Sequence, residues 1–194
     1  MNEMNVMNQQ QPNLLALDTS NQYCSVALQW GTQVHARHEW SEQTHSQMIL
    51  PMVRALMSEQ NANFLDLDAI VVGIGPGGFT GVRLAVAVAQ GLAFAAHKPV
   101  IVISSLAALA EAGLQSSAAT TNAANEVIVA MDARMQQVYW AHYQRVDSQE
   151  NSELYNMQAL IEPRLDDVSE FVARLSATQA NCVVVVGNAV KAFD

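Results

Sequence analysis

The chain has 194 residues, 51% hydrophobic and 14% charged, which is enough apolar length to bury a core as one domain or two small ones and excludes a disordered protein. A formal net charge of −9 with only nine Lys and Arg excludes a stand-alone nucleic-acid binder, because cationic contacts to phosphate supply most non-specific affinity. Cys24 and Cys182 lie in separate apolar runs outside any C-x-x-C, which fits small buried hydrophobes in a reducing, cytoplasmic compartment.

Residues 1–13 are rich in Met, Asn and Gln, with neither a basic nor an apolar leader segment, and read as a disordered tail rather than a signal peptide. No apolar run reads as long enough to cross a membrane. Leu14–Leu17 predicts a strand ending in Asp18-Thr19-Ser20. Tyr23–Trp30 alternates, with Cys24, Val26, Leu28 and Trp30 on one face, and Gly31-Thr32 turns it into a third strand, Gln33–Trp40. A helix follows to about Gln60, with a capping box at Thr44-x-x-Gln47 and a bend at Pro51. The next elements are a strand over Ala69–Val72, a glycine-dense turn, a helix over Thr80–Ala96, a strand over Pro99–Ile103 and a helix over Leu106–Leu114. The small polar stretch Gln115–Asn125 is the candidate domain boundary. Beyond it the pattern predicts paired strands at Val127–Met131 and Val138–Gln144, a helix at Leu165–Leu175 and a strand at Cys182–Val186. Three antiparallel strands followed by β-α-β-α units imply a mixed α/β sheet with helices on its faces.

Gly73-x-Gly75-x-x-Gly78 matches the dinucleotide fingerprint in a strand–turn–helix context. Pro76 removes one N–H, however, and the acidic residue due about 20 positions on is replaced by His97-Lys98-Pro99-Val100. No Gly-Lys-Ser/Thr follows, so the turn is not a P-loop. It is either a phosphate cradle or a tightly packed crossover.

The chain also carries an internal repeat. Leu15–Ala27 aligns without a gap on Val129–Ala141, each an apolar strand ending in Asp (Asp18, Asp132), a turn containing Gln, and a second strand carrying Ala. Two such halves predict duplicated domains facing across a cleft, the second incomplete.

A duplicated β-β-β-α-β-α-β-α unit with Asp ending its first strand resembles the ASKHA (actin/sugar-kinase/Hsp70-like) fold. Leu17-Asp-Thr-Ser20, His45-Ser-Gln-x-Ile-Leu-Pro51, Gly75-Pro-Gly-Gly-Phe-Thr-Gly-Val-Arg83, Ala89-Gln-Gly-Leu92 and Met131-Asp-Ala-Arg-Met135 are similar to bacterial TsaB (YeaZ) chains, from Leu14 to the last residue. The family's chains usually continue further, so the second domain is expected to be truncated. The domains expected are 14–114 and 126–194.

The resemblance implies a non-catalytic subunit, not an enzyme, of the machinery that places threonylcarbamoyl on N6 of adenosine 37 in tRNAs reading ANN codons. The related catalytic subunit, TsaD, holds a metal through H-x-x-x-H after the fifth strand. Here that stretch reads Ser104-Ser-Leu-Ala-Ala-Leu-Ala-Glu111, so no metal and no catalytic residue is expected. The implied partners are TsaD and the ATPase subunit TsaE, with a homodimer when the chain is alone. No cofactor is expected in this chain, no direct tRNA contact and no membrane. ATP or ADP and the metal belong to the partners or their interface.

Asp18, Thr19, Gly75, Gly77, Gly78, Thr80 and Asp132 are read as a vestigial nucleotide site, in which Asp18 and Asp132 either cap turns or hold Mg²⁺ through water. A functional version would be a nucleotide-dependent phosphotransferase or ATPase of the same fold, and that is the alternative function. No Ser–His–Asp or H-E-x-x-H pattern supports a peptidase.

Function is then expected on a surface. The Thr80–Ala96 helix is apolar on nearly every side, and its small residues Gly81, Ala85, Ala89 and Gly91 would allow another helix to approach closely. The predicted partner and dimer interface comprises Ile49, Met52, Val53 and Leu56 of the first helix with Arg83, Leu84, Val88 and Leu92 of the second.

Overall fold

Alternation in Tyr23–Trp30 builds β2, which pairs antiparallel with β1 (Leu14–Asp18) and β3 (Gln33–Trp40) in the computed structural model. The structure describes residues 11–41, 44–117, 125–146, 157–177 and 183–189. Along the chain there follow α1 (His45–Glu59), β4 (Ala69–Gly73), α2 (Phe79–Ala96), β5 (Val100–Ile103) and α3 (Ser105–Ser117). After these come β6 (Glu126–Arg134), β7 (Gln137–Arg145), β8 (Met157–Asp167), α4 (Val168–Ala177) and β9 (Val183–Val186). Cys182, most of the predicted tail and most of the 115–125 segment lie outside the described residues.

Contacts divide the chain into two units, one of Met1–Ile74 with Gly78–Val102 and one of Gly75–Gly77 with Ile103–Asp194. In the first, five strands lie in the order β3-β2-β1-β4-β5, with β1 and β4 parallel. Leu15, Leu17, Cys24, Val26, Leu28, Ile70 and Val72 all point to one face. There they bury Ile49, Met52, Val53, Leu56 and Met57 of α1 and Ala85, Ala89 and Ala93 of α2. Each large side chain removed from water this way contributes about 1.5–3 kcal/mol, which is what holds both helices to the same face. Burial pushes the Cys24 thiol up to about 11, with a further push from Glu39. Thr44 is the residue that starts α1, but the expected capping box does not form. Its hydroxyl donates to Met48 Sδ instead, while its N–H donates to Ser41 Oγ.

The second unit carries a four-stranded sheet, β8-β7-β6-β9, with a helix on each face. Leu106, Ala110 and Leu114 of α3 pack on Val127, Val129, Met131 and Ala141. Phe171 of α4 packs on the opposite set, Ile128, Ala130, Val138 and Trp140. Because α3 buries its apolar stripe on β6, the chain changes unit at Ile103, earlier than the 115–125 segment. The predicted helix at Leu165–Leu175 also needs correction: Leu165 belongs to β8, an edge strand not foreseen, and the helix begins at Val168. Pro163 breaks its alternation and is tolerated because an edge strand needs fewer N–H donors and the register with β7 shifts there.

Under α4 the Asp166 carboxylate accepts from Trp140 Nε1 at 3.0 Å and from an Arg164 terminal nitrogen at 2.9 Å, with Arg174 Nε at 3.3 Å. Burial alone would raise its pKa. Hydrogen bonds from Arg164 and Trp140 and the charges of Arg164 and Arg174 outweigh that and hold it below the ordinary carboxylate range.

The duplication is real in topology, since β1-β2-β3-α1-β4 and β6-β7-β8-α4-β9 share order and pairing sense. The gapless sequence match is out of step by one residue on its first strand. Ala16 lies opposite Ala27 and Val71, whereas Val129 lies opposite Ala141 and Val186. The fold therefore sets Ala16, not Leu15, on Val129. One extra residue in the second hairpin is absorbed by a register shift between Asp132 and Arg134. Asp18 and Asp132 are thus not equivalent positions.

Candidate functional site

The first candidate is the pair of strand-end turns. Asp18 Oδ1 accepts the Ser20 N–H at 2.7 Å, and Asp132 Oδ1 accepts the Arg134 N–H at 2.7 Å, so each carboxylate closes its own turn. In the first unit that turn is pressed against the start of α2. The Gly78 N–H donates to Ser20 O at 2.6 Å and Thr19 Oγ1 donates to Gly81 O at 2.6 Å. A Cβ on Gly81 would fall 1.9 Å from Thr19 O. Gly78 and Gly81 thus serve backbone-to-backbone contact, and Thr19 is buried beneath it. Thr80, by contrast, is exposed. In the second unit Gly75 takes φ +84° and its carbonyl accepts from Ser105 N at 2.8 Å, at the start of α3. Gly77 lies in the same short stretch. Among the described residues no group of three or more His, Cys, Asp or Glu is placed to hold a metal.

The second candidate is the outer side of α1 and α2. Here the structure corrects the predicted interface. Ile49, Met52, Val53 and Leu56 face inward and are buried in the chain's own core, because the stripe at i, i+3, i+4, i+7 is the one the sheet needs. The outer side of α1 carries Leu50, Pro51, Arg54, Ala55 and Ser58, which line a shallow depression of about 420 Å³.

α2 is built the other way round from an ordinary amphipathic helix. Its buried residues are Ala85, Ala89, Ala93 and Ala96, all small. Leu84, Val88 and Leu92 are half-buried along its flank, while Phe79 and Phe94 are 73% and 82% exposed. The exposed Arg83 guanidinium lies 3.2 Å over the Phe79 ring and covers it from one side. Of the four small residues predicted to admit a neighbouring helix, Gly81 is taken up by Thr19, and Ala85 and Ala89 face the sheet. Gly91 alone of these looks outward, with nothing within 4 Å of where a Cβ would be.

This helix also corrects the reading that no segment could cross a membrane. Phe79–Ala96 is long and apolar enough by length and composition, and only 22% of it is buried. Its alanine row packed on β1 and β4 makes it a layer of the first unit, so the exposed apolar side is what requires an explanation.

A third arrangement was not read from the sequence. Ser25 Oγ lies 2.7 Å from His38 Nδ1 across β2 and β3, and the His38 ring stacks on Tyr23 at 4.1 Å. The pair sits on an open sheet face, with Ser25 on β2, which is paired on both sides, and His38 on the edge strand β3. A cross-strand Ser–His contact carries no sequence signal before the register is known.

The family described as "TsaD: tRNA N6-adenosine threonylcarbamoyltransferase" matches residues 35–190 of the chain. The chain is 42% identical over 132 residues to the "tRNA threonylcarbamoyladenosine biosynthesis protein TsaB" of Escherichia coli, covering 68% of this chain and 55% of that protein. It is 44% identical over 133 residues to the Haemophilus influenzae protein of the same name, covering 68% and 54%. It spans little more than half the length of these curated relatives. Among solved structures, YeaZ from Pseudomonas aeruginosa superposes with a TM-score of 0.67 at 40% identity, over 80% of this chain and 67% of that one. A second Pseudomonas aeruginosa structure, described as an uncharacterized protein with similarity to peptidase YEAZ, gives 0.69 at 40% identity, over 81% and 67%. The duplicated mixed-sheet fold and these matches agree, and the chain belongs to the TsaD family, on its TsaB (YeaZ) side.

Proposed function

We propose that the chain is a non-catalytic scaffold in threonylcarbamoylation of N6 of adenosine 37 in tRNA, docking a TsaD-type catalytic subunit through the outer sides of α1 and α2. The observation that carries this reading is the inverted build of α2, with Ala85, Ala89, Ala93 and Ala96 buried, Leu84, Val88 and Leu92 half-buried along the flank and Phe94 in solvent. A second helix pair laid over this side would bury roughly 1,200–2,000 Å² in total, the size of a standard specific interface. Gly91 provides the point of close approach, and the exposed Arg83 guanidinium, stacked on Phe79 at the rim, is placed to meet a carboxylate. The engaged Asp18 and Asp132 turns support a role in which nucleotide and metal are handled by TsaD and TsaE. The same side serves a homodimer when the partner is absent, in the cytoplasm where tRNA is modified.

The test is size-exclusion chromatography with light scattering of this chain mixed with TsaD, with and without ATP, alongside the variant Phe94→Glu. A one-to-one complex that Phe94→Glu abolishes while leaving the circular dichroism spectrum intact is the expected result. A complex that Phe94→Glu leaves unchanged overturns the helix assignment. No complex, together with micromolar binding of Mg-ATP by the chain alone, overturns the scaffold reading.

A further inference from the structure

Charge is spread unevenly over the first unit. Its Lys and Arg residues are Arg37, Arg54, Arg83 and Lys98, and among the described residues Arg37 alone has a carboxylate partner, Glu59. In the second unit Arg145, Arg164 and Arg174 are all paired. The unpaired Arg54 and Arg83 are both exposed, one on the outer side of α1 and the other on the outer side of α2. The only acid in either helix is Glu59, at the end of α1 and engaged by Arg37; α2 has none. Neither helix has an acidic residue in its first turn, where the helix dipole is positive. An ordinary solvated surface intersperses both signs. Apart from the neutral Arg37–Glu59 pair, this side is apolar with cations only, on a chain whose net charge is −9.

We propose, resting on the reading of α1 and α2 as the docking side, that this side selects its partner by charge. The occupant is a chain whose apolar docking surface carries carboxylates set against Arg54 and Arg83, and a second copy of this chain is the disfavoured occupant. The Arg83 guanidinium lies 3.2 Å over the Phe79 ring. Stacked in this way it is pre-positioned, and its N–H edges stay available for a bidentate carboxylate. Arg54 borders the depression it forms with Leu50, Pro51, Ala55 and Ser58, so an apolar side chain seated there brings a neighbouring carboxylate within its reach. Two copies laid face to face about a two-fold axis set cations against cations and bring together two chains of charge −9. Apolar contact is open to both pairings, and the sign of the charge is what separates them.

The experiment follows the salt dependence of two equilibria. Affinity for TsaD is measured by calorimetry and self-association by sedimentation, from about 0.1 to about 1 M NaCl, over which the screening length falls from about 10 to about 3 Å. Arg54→Glu and, separately, Arg83→Glu are compared with Arg134→Glu, which changes the net charge equally but lies in the second unit. Circular dichroism checks that each variant folds. The expected result is TsaD binding that weakens at least about tenfold as salt rises, while self-association holds or strengthens. Arg54→Glu and Arg83→Glu should each weaken TsaD binding at least about tenfold in low salt and leave self-association as strong or stronger, whereas Arg134→Glu should change either by less than about threefold. A complex that Phe94→Glu abolishes, but that neither salt nor the two helix reversals alter, overturns selection by charge and leaves the docking side in place. Self-association that weakens with salt in step with TsaD binding also overturns it. No complex at any salt overturns both the docking side and its selection by charge. Arg54→Glu, with no ring to cover, keeps the test decisive if loss of the Arg83–Phe79 stack disturbs α2.

Discussion

Thr19 and Gly81 hold the first strand turn to the first turn of α2: Thr19 Oγ1 donates to the Gly81 carbonyl at 2.6 Å, and Thr19 O lies 1.9 Å from where a Gly81 Cβ would be. Replacing Gly81 with Ala forces two backbone segments apart. Overpacking of this kind costs about 1–3 kcal/mol or more. Gly81→Ala is expected to lower the unfolding free energy measured by urea titration by that amount, whereas Gly91→Ala is not. Equal effects of the two variants would mean that the contact is not tight.

Gly91 separates stability from association. A Cβ there meets nothing within 4 Å, so Gly91→Ala should stabilise the isolated chain by about 1 kcal/mol through helix propensity, raising Tm by about 2–4 °C. A larger residue at the same place obstructs a partner helix. Gly91→Gln is expected to leave Tm at or above that of the parent while weakening TsaD binding at least about tenfold, or about 1.4 kcal/mol. Unchanged affinity measured by calorimetry would remove Gly91 from the interface.

Asp166 should give the second unit an acid-sensitive stability. Its folded pKa lies below the ordinary value of about 3.9, so it stabilises the fold fully above that pH and loses the contribution as pH falls towards its folded pKa. Asp166→Asn removes the charge that Arg164 and Arg174 face. It is expected to cost about 1.5–3 kcal/mol at pH 7 and to flatten the acid limb of the stability profile below pH 4. Parallel acid limbs in urea titrations of parent and variant would show that other carboxylates set it.

Cys24 should be chemically silent. With a thiol pKa pushed to about 11, its thiolate fraction at pH 7.5 is on the order of 10⁻³ or less, and its side chain is fully buried. In a Cys182→Ser background, disulfide-exchange reagents are expected to give no signal until the unfolding transition, and labelling should track denaturant. Fast labelling in native buffer would show that α1 lifts from the sheet.

Much of the site was legible in the sequence because its cause is local. The shortage of cations, the lack of a metal-ligand pair in Ser104–Glu111, the apolar α2 and the strand–turn–helix around Gly75–Gly81 depend only on residue type and spacing. The stripe Ile49, Met52, Val53, Leu56 was legible as a stripe too, but a helical period states that one side is apolar and not whether its neighbour is a sheet or another chain.

Tertiary structure decided the rest. It turned α2 so that Ala85, Ala89 and Ala93 meet β1 and β4, since only small side chains let that helix lie close on the sheet, and so its two aromatics, Phe79 and Phe94, went outward. It moved α3 to the second unit, where Leu106, Ala110 and Leu114 find Val127 and Val129. It also set the repeat one residue out of step, so that Leu15 faces α1 while Val129 faces α3. In a strand a slip of one position exchanges the two faces, and the pairing that fixes it is made by residues far apart in the chain.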